Sequence, residues 1–477
     1  MNRQGNNARP DRTNAGRSMM VLVALLTGTA ALIGGCWDRH EINELSVVLT
    51  AAVDRDGEQW EFSVGLIRTT GQPSGGQAPG AGGGGAGGGA PGVPRAAFVV
   101  TARGSTLDEA IQNLRLYISR TLHWDHAILL VIGEAAARYG IQELLDMWTR
   151  HEAMRTTATV VVVRGKASDF VASLQVGLGN TLADEVTRIV ELSQKAALTR
   201  QVAVHDLAAA LSGEAHASLV PVFGAVALPQ PPAPGTPPPS TAGKRSTSTG
   251  RSNTGASGAE RTHSEPAPAV QEGRYLPPSQ PLASAQLQGG AVFLRDKLIG
   301  FLGLTEVRGV MWVVSPPREA IVAVPCPAAA ALDPNTGPKA DLVSVSVRKV
   351  IPRIRVTAER ASIELSVQGV LESQACFREH EILGRAKAQG AEAALKVLAE
   401  AVSRRVSQEV KRSIAVTQAM GADVFGLATV LHRQHKQAWR AVQDRWEQVY
   451  RTLPVEVTVV SRISATGETI QPPDVKL

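Results

Sequence analysis

Cysteine is scarce in this chain of 477 residues, which contains only Cys36, Cys326 and Cys376. The last two lie far apart in the sequence, and no two cysteines have the short spacing of a zinc or redox motif. Two cysteines cannot hold a small core together, so the composition excludes a disulfide-rich scaffold. Whether Cys326 and Cys376 pair with each other is left open by the sequence.

The chain also has little excess charge. Its formal net charge is +6, and residues 1–35 hold four arginines and one aspartate, which leaves +3 for the rest. Nucleic-acid binding depends on a concentrated positive charge that neutralises phosphates. A nearly neutral body of this size lacks that charge, so we expect no nucleic-acid partner.

Motifs of enzymes and metal sites are missing as well. The sequence has no Walker motif, no G-x-S-x-G elbow and no dinucleotide-binding glycine fingerprint, and His151-Glu152 lacks the second histidine of a zinc protease. The pair His123 and His126 and the pair His432 and His435 supply two ligands each, whereas zinc sites use three or four. We therefore predict structural roles for the first pair and a solvated helix face for the second, with no catalytic, cofactor or metal residue.

Two other groups of residues have spacings that favour a structural role. Glu306 and Arg308 lie two apart, which on a strand places them on one face as an ion pair. Trp439 and Trp446 have helical spacing beside aliphatic residues, which predicts that they lie in a core.

The N-terminal region begins with a basic leader that contains Arg3, Arg9, Arg12 and Arg17. An apolar segment, Met19–Ile33, follows it. It has the length of a signal-peptide core and is short for a membrane span. The sequence Leu32-Ile33-Gly34-Gly35-Cys36 follows the pattern of lipid attachment to a cysteine after cleavage. We predict that residues 1–35 are a lipoprotein signal peptide and that Cys36 is lipidated. The alternatives are an uncleaved anchor or an ordinary signal peptide.

A diacylglyceryl group on Cys36 would supply two acyl chains, which is enough for stable attachment to a membrane. The mature protein is then expected on the outer face of the cytoplasmic membrane without a span of its own.

Two segments have compositions that are typical of flexible chain. Residues 71–94 are almost entirely Gly, Ala and Pro, and residues 229–285 are rich in Pro, Ser, Thr and Gly. Neither offers aliphatic side chains to bury, so we predict a flexible loop and a disordered linker.

The remaining sequence predicts a mixture of strands and helices. Strands at 44–53 and 60–67 should form a hairpin through Asp54-Arg55-Asp56-Gly57, and Thr106 should cap a helix. Apolar runs alternate with helical patterns in a way that predicts a βαβ unit within a mixed sheet, with strands at 126–132 and 157–163 and helices at 141–148 and 168–174.

Long periodic segments follow in the second half of the chain. Apolar residues spaced about four apart predict an amphipathic helix over 390–417, which Gly421 should end. Asp423 can cap a second helix, which carries Trp439, Trp446 and Tyr450, and a closing strand is predicted over 455–463.

These elements predict a multi-domain α+β fold with mixed and antiparallel sheets packed against helices. We expect three domains. The predicted segments are a signal peptide at 1–35, an N-terminal domain at 36–165, a middle domain at 166–228 with 286–330, the linker at 229–285 and a C-terminal domain at 331–477.

Five stretches resemble the spore germination lipoproteins of the Ger(x)C family, the C subunits of germinant receptors, and they occur in the family's order. They are Cys36 to Leu45, the capped helix at Thr106 that leads to the His126 strand, Glu306-Val307-Arg308-Gly309 with Trp312, Val324-Pro325-Cys326-Pro327, and Ala422-Asp423-Val424-Phe425-Gly426 with Trp439 and Trp446. The segments at 71 and 229 depart from the family pattern as insertions.

The resemblance implies a three-domain α+β lipoprotein on the outer face of the inner spore membrane. It also implies two membrane-embedded partners, the A and B receptor subunits, no catalytic activity, and an indirect role in the response to a small-molecule germinant. An extracytoplasmic solute-binding lipoprotein of a transporter is the alternative, which would need two similar α/β lobes. A surface-anchored hydrolase is a second alternative, which would need a clustered acid, base and nucleophile.

Overall fold

The computed structural model describes residues 20, 22–25, 44–66, 98–174, 181–227, 283–325, 342–372 and 388–465, with only the backbone described at 388–394. The chain divides into two units, Met1–Leu45 and Ser46–Leu477. In the first unit, residues 20 and 22–25 are helical and exposed. The sheets and helices below belong to the second unit, apart from Leu45 at the start of the first strand.

A nine-stranded mixed sheet occupies the first half of this unit. Its strands are β1 (Leu45–Asp56), β2 (Gln59–Leu66), β3 (Phe98–Gly104), β4 (Thr121–His123), β5 (Leu129–Gly133), β6 (Thr159–Val163), β7 (Ala217–Ala227), β8 (Ala283–Leu294) and β9 (Lys297–Leu302). The spatial order is β3-β2-β1-β5-β6-β7-β8-β9, with β4 paired to β1. The central strands β1, β5, β6 and β7 run parallel, and antiparallel hairpins extend the sheet on both sides.

Helices cover both faces of this sheet. They are α1 (Leu107–Asn113), α2 (Glu134–Tyr139), α3 (Gln142–Arg150), α4 (Ala167–Ser173), α5 (Leu182–Lys195) and α6 (Val204–Ser212). The strands β5 and β6 are buried along their whole length because helix-containing layers lie on each face. Thr106 caps α1 as predicted, since its hydroxyl accepts a hydrogen bond from the backbone N–H of Glu109 at 3.2 Å.

A four-stranded sheet and five helices form the second half. The strands are β10 (Ala320–Pro325), β11 (Leu342–Val356), β12 (Ala361–Leu371) and β13 (Val455–Ala465), and the helices are α7 (Leu304–Val314), α8 (Ala388–Met420), α9 (Leu427–Gln434), α10 (Lys436–Val442) and α11 (Trp446–Thr452). The order is β10-β11-β12-β13, with only the last pair parallel. The long helix α8 places Leu398, Val402, Val406 and Val410 in the core, as its periodicity predicts.

One hydrophobic core joins the two halves. It contains Leu219 and Val292 of the nine-stranded sheet, Trp312 of α7, and residues of the second sheet and of α8, such as Val345 and Val406. Separate clusters fill the two faces of the first sheet. The helix α7 therefore lies where the packing of both sheets meets.

The α+β class is confirmed, and several boundaries differ from the prediction. The segment that contains Glu306 and Arg308 is the helix α7 and not a strand. The predicted second C-terminal helix is divided into α9, α10 and α11. The strand β8 begins at Ala283, so the last three residues of the predicted linker, 283–285, belong to this strand.

The described sheets also bear on the predicted domains. The predicted boundary after residue 165 falls inside the nine-stranded sheet, between β6 and β7. The three-domain division and its other boundaries stay a prediction. The segments 71–94 and 229–282 lie outside the described residues, as do Cys326 and Cys376.

Candidate functional site

Cys36, the predicted lipidation site, lies outside the described residues. Its role stays a prediction. Within the part of the chain that the structure describes, no helix is both long and apolar enough to cross a bilayer.

Helix α7 contains the stretch Glu306-Val307-Arg308-Gly309 and Trp312. Two of these residues, Arg308 and Trp312, bind a buried carboxylate of α8, that of Glu409. Glu409 is 3% exposed at its side chain and accepts hydrogen bonds from Arg308 Nε at 2.9 Å and from Trp312 Nε1 at 2.9 Å. Arg405 donates a further bond from the solvent side at 3.0 Å. We call these four residues the Glu409 network. A buried carboxylate needs such donors because it has left the water that would otherwise solvate it.

Gly309 sets how closely α7 and α8 approach. A Cβ atom at this position would collide with the backbone of Glu409 and with the hydroxyl of Ser413. The Ser413 hydroxyl also donates to the carbonyl of Glu306 at 2.7 Å. The predicted pair of Glu306 with Arg308 is wrong, because on a helix residues two apart do not face each other. Glu306 instead pairs with Arg412 at 2.7 Å.

A second buried carboxylate organises residues 421–428, which we call the Asp423 turn. Asp423 accepts hydrogen bonds from the backbone of Leu427 at 3.0 Å and of Ala428 at 2.7 Å, so it holds the start of α9. Trp446 Nε1 donates to the same carboxylate at 3.1 Å. Burial raises the pKa of Asp423, and these hydrogen bonds oppose that rise. Gly426 precedes α9 with φ +71°, a conformation that suits glycine.

Trp439 and Trp446 are buried in the core, as the spacing predicted. Their ring centroids are 5.7 Å apart in an edge-to-face arrangement, and Tyr450 lies beside Trp446. The Tyr450 hydroxyl is 2.7 Å from the hydroxyl of Thr417 on α8. These contacts join α10 to α11 and α11 to the long helix α8.

The two pairs of candidate histidines have different surroundings. His123 and His126 have ring centroids 5.5 Å apart, and His123 lies 3.3 Å from Asp125. In the described ranges, no group of three or more His, Cys, Asp or Glu side chains could hold a metal ion. His432 Nδ1 lies 2.8 Å from Glu214 Oε1, and its ring stacks on Trp439. His432 therefore makes a contact between the two halves of the fold, whereas the sequence predicted only a solvent-exposed helix face.

The sequence predicts Asp54 in a turn, but in the structure this residue has a structural role within a strand. It lies in β1, 1% exposed, and accepts hydrogen bonds from Ala167 N at 2.7 Å and Ser168 N at 2.8 Å at the start of α4. Burial raises the pKa of Asp54, and the two backbone donors oppose the rise. The turn itself is at Gly57, with φ +60°. No sequence signal links Asp54 to residues more than a hundred positions away.

A groove with a volume of about 1050 Å³ lies beside α2 and α3. Ser212, His216 and Asp296 line it, which are residue types found in hydrolase sites. His216 Nδ1 is 3.0 Å from the carbonyl of Leu211, so this nitrogen is bonded to the backbone and not to a carboxylate. Among the described residues no hydrogen bond joins these three side chains.

The solute-binding alternative needs two similar lobes. The two described sheets have nine and four strands with different orders. They are not a repeated pair.

Comparison with known protein families gives two matches in consecutive parts of the chain. The domain family described as "Spore germination protein N-terminal domain" matches residues 38–225, and the one described as "Spore germination B3/ GerAC like, C-terminal" matches residues 288–467. The interval between them, residues 226–287, contains the whole segment predicted as a linker, residues 229–285.

Two proteins of Bacillus subtilis (strain 168) are similar in sequence. "Spore germination protein KC" is 21% identical over 456 residues, which cover 94% of this chain and 96% of that protein. "Putative spore germination protein YfkR" is 35% identical over 138 residues, which cover 29% of this chain and about a third (34%) of that protein.

A solved structure described as "Crystal Structure of the GerBC protein" has a TM-score of 0.44 and 13% identity, and covers 87% of this chain and 96% of that one. The predicted family is confirmed by the two domain matches, which together take in most of the chain and occur in order. This chain belongs to the GerAC-like family of spore germination proteins, the C subunits of germinant receptors.

Proposed function

We propose that this chain is a lipid-anchored C subunit of a germinant receptor that acts in receptor assembly and in relaying the germinant signal, without catalysis. The observation that carries the proposal is the position of the predicted lipidation site. Cys36 lies two residues before the first position of the matched N-terminal family, at residue 38. Cleavage before Cys36 would leave the whole family-matched region attached to the lipid.

The expected location is the outer face of the inner spore membrane. Two acyl chains on one cysteine hold a protein firmly, because each buried methylene contributes about 0.8 kcal/mol. The expected partners are the membrane-embedded A and B subunits, and the germinant reaches this chain only indirectly.

The packing of α7 supports a relay through protein contacts. Trp312 on α7 belongs to the same core as Leu219 of the nine-stranded sheet and Val345 of the four-stranded sheet. Close-packed interiors transmit displacements, so a partner bound to one half can bias the other. The Glu409 network holds α7 to α8 at this point.

Anchoring is tested with Cys36→Ser in a spore-forming host. We expect the variant to leave the membrane fraction and to lose the diacylglyceryl mass on its N-terminal peptide. Cys326→Ser removes a thiol elsewhere and should stay in the membrane. A Cys36→Ser protein that remained membrane-bound would contradict the tether.

Assembly and relay are tested by co-purification from detergent extracts and by nutrient germination of spores. The wild-type chain should co-purify with two membrane-embedded subunits, and its deletion should abolish the response to the germinant of that receptor. Removing residues 75–92 should leave both readouts nearly intact if partners contact the folded region. Normal germination of the deletion strain with every nutrient, in a host without a second copy of the receptor, would refute the proposal.

A further inference from the structure

A cavity of about 220 Å³ lies between α6, β7, α7 and the Asp423 turn. It is separate from the large groove beside α3. Much of its wall is apolar, with Leu219, Val310 and Met311 among its lining residues. Four polar side chains outside the Asp423 turn also line it, namely Arg200, Glu214, Ser218 and Thr429.

Arg200 brings a positive charge to this cavity. It is partly buried, and within the described ranges its guanidinium forms no hydrogen bond or ion pair. Burial lowers the pKa of Arg200 from its usual value, because the charged form has lost water, and the carboxylate of Asp206 opposes that fall. An arginine still keeps its proton in proteins, so Arg200 brings a charged donor group to the lining of this cavity.

Ser218 supplies a second unused donor. The residue is 3% exposed, and its hydroxyl has no hydrogen-bond partner in the described part of the protein. Buried hydroxyl groups are normally satisfied, since leaving one unpaired costs about 1–3 kcal/mol. The Ser218 hydroxyl, on a residue that lines the cavity, is therefore available to a ligand bound there.

The acidic residues of the cavity already have partners. Glu214 binds His432 at 2.8 Å and Thr429 at 3.0 Å, and Asp423 accepts backbone and indole donors in the Asp423 turn. The unused bonding capacity is therefore one guanidinium and one hydroxyl, which together suit an oxyanion. The volume is below the 300–1,000 Å³ or so of typical drug-sized sites, so the ligand must be small.

We propose that this cavity binds a small oxyanion, a short-chain carboxylate or inorganic phosphate, whose oxygens accept hydrogen bonds from Arg200 and Ser218. The site lies between elements of both halves of the fold, so occupancy would stabilise their contact. This binding does not depend on lipidation or on receptor assembly.

The test uses purified full-length protein and trifluoroacetate as a carboxylate probe, followed by fluorine NMR linewidth. We expect saturable broadening that acetate or phosphate reverses, and the stronger competitor identifies the preferred oxyanion. Arg200→Gln should weaken binding at least tenfold, because a charge-assisted pair is lost. Ser218→Ala should weaken it a few-fold, and Arg200→Lys should give an intermediate loss.

Arg404→Gln is the matched control, since Arg404 is an exposed arginine on α8 and its replacement changes the net charge equally. It should bind like the wild type. Equal broadening in Arg200→Gln and Arg404→Gln, or no saturable broadening in the wild type, would overturn the proposal. If Arg200→Gln does not fold, as judged by circular dichroism, the Ser218→Ala and Arg200→Lys variants decide: unchanged affinity in both also overturns it.

Discussion

The Glu409 network offers a direct test of how α7 is held to α8. Replacing Arg308 with methionine keeps an unbranched apolar stem and removes the guanidinium. Glu409, 3% exposed at its side chain, would then keep only Trp312 at 2.9 Å and Arg405 at 3.0 Å as donors. The substitution therefore leaves a buried carboxylate with part of its compensation removed.

The size of the effect follows from the burial of each partner. Removing one partner of a buried ion pair lowers the free energy of unfolding by about 3–5 kcal/mol. Because two donors to Glu409 remain, we expect Arg308→Met to lie at the lower end, at about 3 kcal/mol. Arg405 is 49% exposed at its side chain, so Arg405→Met should cost less than about 1 kcal/mol. Arg308→Met with Glu409→Gln removes the unpaired charge but keeps an acceptor for Trp312. The double variant should therefore be more stable than Arg308→Met alone by about 1 kcal/mol or more.

The assay is urea unfolding of the full chain at neutral pH, followed by far-ultraviolet circular dichroism. The free energies of unfolding are compared only if the dependence on urea concentration is unchanged between variants. Arg405→Met is the matched control because it removes an arginine from the same carboxylate. The reasoning fails if Arg308→Met lies within about 0.5 kcal/mol of the wild type, or if Arg405→Met costs as much.

Three further predictions concern other contacts within the fold. Asp54→Ala should lower the free energy of unfolding by about 2 kcal/mol in the same urea assay, because it leaves the start of α4 uncapped. The control is Asp56→Ala, at the half-exposed turn, which should change that free energy little. Gly309→Ala should cost about 1–3 kcal/mol or more by forcing α7 from α8, and an unchanged urea midpoint would contradict that close approach. His432 lowers the pKa of Glu214, so this contact stabilises the fold above the ordinary glutamate pKa and is lost as the pH falls through the lowered native value. Between about pH 6 and pH 3, the free energy of unfolding of Glu214→Gln should therefore fall less than that of the wild type. The prediction is refuted if the urea midpoints of the two proteins fall by the same amount over this range.

The sequence predicted the elements whose pattern is local. The hairpin of β1 and β2, the capped helix α1 and the buried strands β5 and β6 were all predicted within a few residues, because periodicity and turn chemistry act over short distances. Helix α7 was missed because its residues are apolar nearly all round, which hides the helical period. Five of its eleven residues are Val or Trp, which also favour strands.

By itself the sequence determined the class of fold, which depends on local periodicity, and the family, which depends on short motifs in a fixed order. The tether at Cys36 stays a prediction from the sequence. Only the tertiary structure decided which carboxylates are buried and what they bind. Glu409 and Arg308 are 101 residues apart, and Asp54 and Ala167 are 113 apart, so nothing in the chain order pairs them. Such contacts form only when helices and strands pack, since burial removes water and makes each charged or polar group require a specific partner.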